Sequence, residues 1–68
     1  MQNSLKVERA RLKMTQADLA VRVGVSRQTI NAIELCKYGP STVLALRLSG
    51  VFGKTVNELF SLENDDLN

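Results

Sequence analysis

With 68 residues, the chain has room for one domain, residues 1–68, whose small core needs reinforcing by tight helix packing or a second subunit. The absence of His and the single cysteine, Cys36, exclude a zinc site and an internal disulfide and fit a reducing, cytoplasmic setting. All nine Lys and Arg lie in residues 1–54, with Glu8, Asp18 and Glu34, while residues 55–68 carry only acids (Glu58, Glu63, Asp65, Asp66), so the net +2 hides a basic body and an acidic end.

Almost every segment reads as helix, punctuated by Gly24, Gly39-Pro40 and Gly53. The first helix is expected from about Ser4 to Leu12, capped by Ser4 or Asn3, with Leu5 and Leu12 one heptad apart on its buried side. Thr15 caps a second helix, Gln16 to Val23. Its side-chain oxygen can accept from the N–H of Asp18, whose charge suits a first turn. Gly24 ends it, since glycine enters the left-handed region without a Cβ clash. Ser26 caps a third helix, Arg27 to Leu35. Pro40 forbids helix at Gly39, and Ser41 caps a fourth, Thr42 to about Phe52. Its residues Val43, Leu44, Leu46, Leu48, Val51 and Phe52 make it the most buried helix. Thr55 caps a short fifth, Val56 to about Phe60, and the acidic tail 61–68 is expected to fray.

Residues 16–35 have the spacing of a helix-turn-helix. Two helices crossing steeply over a short turn need a small residue at the contact, a residue tolerant of positive φ at the turn, and apolar anchors. Ala20, Gly24 and the set Leu19, Val23, Val25, Ile30 and Ile33 answer each need. The residues between the anchors, Arg27, Gln28, Thr29 and Asn31, are polar and project from the free face of the third helix.

The motifs Thr15-Gln16-x-x-Leu19-Ala20, Gly24-Val25-Ser26-Arg27-Gln28-Thr29-Ile30, Ile33-Glu34 and Pro40-Ser41 resemble the Cro/C1-type (XRE) helix-turn-helix family of the lambdoid phage repressors, over roughly residues 4–61. The resemblance implies an all-α, compact five-helix lambda-repressor-like DNA-binding domain whose third helix enters the major groove. It implies base reading by Arg27, Gln28, Thr29 and Asn31, with Gln16, Ser26, Lys37 and Tyr38 on the DNA backbone. Arg9 and Glu34 match positions that form an ion pair bracing the first helix against the third.

Three positions depart from the family pattern. Leu35 and Cys36 stand where a polar residue and Gly are usual, so the third helix either ends differently or bears about 1 kcal/mol for a non-Gly left-handed residue. Ala32 occupies a base-reading position but can meet only a thymine methyl. Gly50 inside the fourth helix costs about 1 kcal/mol relative to Ala and would suit a close approach by a helix or subunit. Cys36 reads as a small, half-buried apolar residue before it reads as a redox sensor. Lys6, Arg11, Lys13 and Arg47 read as solvated charges.

Among function classes, a sequence-specific regulator acting as a dimeric repressor on double-stranded DNA leads. An antitoxin or adaptor that binds a protein through the same fold is the alternative. An enzyme is rejected: no nucleophile–base pairing, metal cluster or Gly-rich phosphate loop is present, and nothing calls for a cofactor or a small-molecule effector. No secretory signal or membrane span is expected. The apolar residues Val51, Phe52, Val56, Leu59 and Phe60 exceed what so small a core would be expected to bury and form the expected dimer face.

Overall fold

A computed structural model describes residues 1–67. Their element order is β1 (Gln2–Asn3), α1 (Leu5–Arg11), α2 (Gln16–Val23), α3 (Arg27–Glu34), α4 (Thr42–Phe52), α5 (Val56–Leu59), β2 (Phe60–Ser61) and a 3-10 turn (Asn64–Leu67). Four of the helix starts carry side-chain caps. Thr15, Ser26, Ser41 and Thr55 each accept from the backbone N–H three residues on. At α2 and α5 the cap is reciprocal, because Asp18 and Glu58 reach back to the cap N–H. At α1 Ser4 makes no such bond, and Asn3 Oδ1 accepts from the Leu5 N–H at 3.2 Å instead.

Helix ends divide by whether a glycine is present. Gly24 closes α2 at φ 75°, and the N–H groups of Gly24 and Val25 both bond the Ala20 carbonyl. After α1 and α3 no glycine stands, yet Lys13 and Cys36 adopt φ 56° and 60°. Of the two endings the sequence leaves open for the third helix, the strained one is therefore realised. The Lys37 N–H returns to the Ala32 carbonyl, so the turn closes despite the strain.

One buried cluster holds Leu5, Leu19, Ala20, Val23, Ile30, Ile33, Leu44, Ala45, Leu48, Phe52, Leu59 and Phe60. The helix-turn-helix anchors fall in it or, for Val25, pack against it. Leu12 is 39% exposed and leaves the core face that Leu5 shares. On α4 the buried stripe is Leu44, Ala45, Leu48 and Phe52, one turn apart, whereas Val43 and Leu46 point outward. A helix so rich in apolar residues reads as buried all round, but a small domain covers only one face of it.

The expected dimer face is corrected in the same way. Phe52, Leu59 and Phe60 are 4%, 1% and 8% exposed, so the core of one chain consumes them. Val51 and Val56 are half-buried against that core. A Cβ placed on Gly50 would meet nothing within 4 Å, so no helix among the described residues uses it for close approach.

The tail does not fray as expected. Gln2 and Asn3 pair antiparallel with Ser61 and Phe60, and the Ser4 N–H bonds the Leu59 carbonyl. The terminal amine of Met1 meets Asp66 at 2.9 Å and Glu63 at 3.5 Å. Residues 1–4 are thereby fastened to residues 59–66. A two-residue strand carries no alternation to read, so it was invisible in the sequence. Asn68, the last residue of the expected tail, lies outside the described residues.

Candidate nucleic-acid interface

The face of interest is built where α2 and α3 cross. Ala20 and Gly24 permit the close turn, and Leu19, Val23, Ile30 and Ile33 lock the two helices over the core. Ile30 and Ile33 face inward one turn apart, so Arg27, Gln28 and Asn31 are turned out and exposed. Thr29 is half-buried, its hydroxyl 2.9 Å from the Ser26 hydroxyl. Ser26 Oγ also accepts from the Thr29 N–H at 3.1 Å, so this candidate backbone contact is first a helix cap.

Behind the face stands an ion pair. Arg9 Nε donates to Glu34 Oε2 at 2.6 Å and Nη2 to Oε1 at 2.9 Å, a two-pronged pair that ties α1 to α3. Arg9 Nη1 also bonds the Met14 carbonyl at 3.0 Å, which holds the strained turn at Lys13. Burial works against the Glu34 carboxylate, but hydrogen bonds from Arg9 and Gln16 and the nearby charges of Arg9 and Lys6 outweigh it. They hold its pKa below the ordinary carboxylate range. The hydrogen bond to Glu34 raises Arg9 further above its already high value.

Gln16, at the first position of α2, stands between this pair and the exposed face. Its Nε2 donates to Glu34 Oε1 and to Asn31 Oδ1, both at 3.1 Å, and its Oε1 accepts from Arg27 Nη1 at 3.4 Å. The structure thus brings together Arg9, Glu34, Gln16, Asn31 and Arg27 as one polar network. Lys37 and Tyr38 are exposed in the loop after α3, the Tyr38 side chain 47% so.

Two of the charges read as solvated are structural. Arg11 Nε bonds Glu8 Oε1 at 2.7 Å and its Nη2 the Phe52 carbonyl at 3.1 Å. Glu8 itself is 8% exposed and was missed; its place at i+3 from the buried Leu5 was the available signal. Arg47 Nη1 bonds the Val23 carbonyl at 3.2 Å, at the end of α2. Cys36 is exposed, not half-buried as its apolar reading required, and among the described residues its thiol has long contacts, to Asn3 at 3.8 Å and the Glu34 carbonyl at 3.9 Å.

No helix among the described residues is long and apolar enough to cross a membrane. A family model described as helix-turn-helix matches residues 5–59, which includes every element from α1 to α5. The chain is 48% identical over 66 residues to an uncharacterized HTH-type transcriptional regulator of Methanocaldococcus jannaschii, covering 97% of this chain and 100% of that protein. A second uncharacterized HTH-type transcriptional regulator, from Archaeoglobus fulgidus, is 40% identical over 67 residues, with 98% of this chain and 94% of the other covered. The HTH-type transcriptional regulator YgzD of Bacillus subtilis, also uncharacterized, is 41% identical over 66 residues, covering 97% and 100%. The all-α fold, the braced α2–α3 unit and these relatives agree: the chain belongs to the Cro/C1-type (XRE) helix-turn-helix family of DNA-binding transcriptional regulators.

Proposed function

We propose that the protein is a sequence-specific repressor that binds a near-palindromic operator as a homodimer, with α3 of each subunit in the major groove. The observation that carries this reading is the exposed N-terminal turn of α3. Arg27 and Gln28 stand free of the core on a helix start that is capped by Ser26 and braced through Glu34. Arg pairs bidentately with guanine and Gln with adenine. Asn31 completes the reading surface, and Thr29 reaches bases through its methyl or hydroxyl. Backbone contacts come from the first turn of α2 at Gln16, from Ser26, and from Lys37 and Tyr38. Repression follows from occupancy, by excluding polymerase, with no small-molecule effector and no enzymatic step.

The size of the reading surface favours a homodimer. One eight-residue helix touches only a few base pairs, and two copies multiply the discrimination. For the dimer face the support is an open apolar groove of about 210 Å³, lined by Met1, Pro40, Ala45, Leu46, Val56 and Phe60 among others. Leu46 is 60% exposed at its edge, and Val43, one turn away on α4, is 58% exposed. Val51 and Val56 retain some of the face expected from the sequence.

Titrations of a preferred duplex against Arg27→Ala and Lys37→Ala test this reading. Arg27→Ala is expected to cost about 1–3 kcal/mol on that duplex and to relax preference at one base pair. Lys37→Ala is expected to weaken binding to all sequences alike and to flatten the salt dependence. If Arg27→Ala binds every sequence as the wild type does, α3 is not the reading helix.

A further inference from the structure

The side chains of Glu34, Gln16, Asn31 and Arg27 form a run of hydrogen bonds whose direction is imposed from one end. Arg9 grips Glu34 with two bonds, and an ionised carboxylate only accepts. The Gln16 amide must therefore turn its NH2 to Glu34, at 3.1 Å. The same NH2 lies 3.1 Å from the Asn31 amide, so Asn31 must answer with its carbonyl oxygen. The remaining oxygen of Gln16 faces Arg27 Nη1 at 3.4 Å. Reversing the Asn31 amide would set two NH2 groups against each other, and reversing Gln16 would set its oxygen against the Glu34 carboxylate.

This imposed direction limits what Asn31 can offer to DNA. An unconstrained Asn reads adenine by presenting oxygen and NH2 together to N6 and N7. Here Asn31 Oδ1 is turned back toward Gln16, which leaves the NH2 to the exposed face of α3. We propose that Glu34, acting through Gln16, fixes the Asn31 amide with its oxygen toward Gln16 and its NH2 leading toward the bases, so that it favours guanine N7 and O6, or thymine O4, over adenine. The inference rests on the DNA-reading function proposed above. Asn31 touches the base, and Glu34 and Gln16 are positioning residues.

The test is selection of sites from random duplex DNA with the wild type, Asn31→Ala and Gln16→Ala. The base pair whose preference Asn31→Ala erases is the one that Asn31 reads. Wild type is expected to select guanine or thymine there. Gln16→Ala releases the Asn31 amide and is expected to raise adenine at that pair about tenfold relative to wild type. Because Gln16 is half-buried, Asn31→Asp on the exposed face gives a second reading that does not depend on the fold tolerating Gln16→Ala. Its outward oxygen accepts, so preference should move to the exocyclic amines of cytosine or adenine. Adenine selected by wild type at that pair, or profiles that stay unchanged in Gln16→Ala or Asn31→Asp, overturns the proposal and leaves the DNA-reading function standing. No preference erased by Asn31→Ala does the same. A wild type that enriches no sequence overturns the DNA-reading function itself.

Discussion

At the scale of single residues, the Arg9–Glu34 pair decides most. The Glu34 side chain is 6% exposed and Arg9 14%, so solvent does little to screen them. Removing one partner strands the other. Glu34→Ala is expected to cost about 1.5–3 kcal/mol in urea unfolding, and more than truncation of an exposed acid such as Asp65. The same carboxylates set the response to acid. Glu34, Asp18 and Glu58 all have pKa values lowered by their hydrogen bonds in the folded chain. Groups lowered on folding contribute stability above the unfolded value of about 4, and lose it as pH falls through the folded value. With no His in the chain, the urea midpoint should stay nearly level from pH 7 to about 5 and fall below that. A drop already complete by pH 6 would mean that other groups control it. Cys36 gives a prediction of opposite sign. At φ 60°, and with long thiol contacts, it gains from losing its Cβ, so Cys36→Gly should stabilise by about 0.5–1 kcal/mol. An unchanged thermal midpoint would show that the turn bears no strain.

At the scale of elements, the helix starts and the core stripes explain what the sequence could reveal. Thr15, Ser26, Ser41 and Thr55 are cap residues directly before apolar periods, so four helix starts were legible to the residue. The turn at Gly24 was legible because only its backbone freedom suits that φ. The Arg9–Glu34 pair came from the family resemblance, since nothing local joins positions 25 apart. The Gln16 hub was not legible as such. Gln16 stands on α2 and its three partners on successive turns of α3, so they meet only once the helices cross. The exposed sides of α4 and the pairing of β1 with β2 were hidden for related reasons. Composition does not say which face a neighbour covers, and two residues carry no period. Ser26→Ala tests the cap at the head of α3. It should lower stability by about 1 kcal/mol, seen in urea unfolding. A loss of DNA affinity larger than that stability loss would mark Ser26 as a DNA contact too.

At the scale of the whole molecule, the charge is divided as the proposed function needs. Arg27 and Lys37 lie on and beside α3, while Glu63 and Asp66 are drawn to the Met1 amine. The proposed dimer would double the base pairs read, and the groove beside Leu46 is the face proposed for its contact. Leu46 is exposed on the single chain, so Leu46→Asp should leave the chain folded while the unfolding midpoint loses its dependence on protein concentration. In sedimentation it should shift the dimer to monomer. A variant that still sediments as a dimer would put the contact elsewhere. Whether α3 reads bases from two symmetric subunits, as proposed, is decided by selection of sites from random duplex DNA, with the enriched duplexes titrated at two salt concentrations. The expected outcome is a near-palindromic consensus with half-sites about 34–36 Å apart, one helical turn, and a specific complex that outlasts the rise in salt. Weak binding that fades steeply with salt, and no enriched sequence, would contradict it.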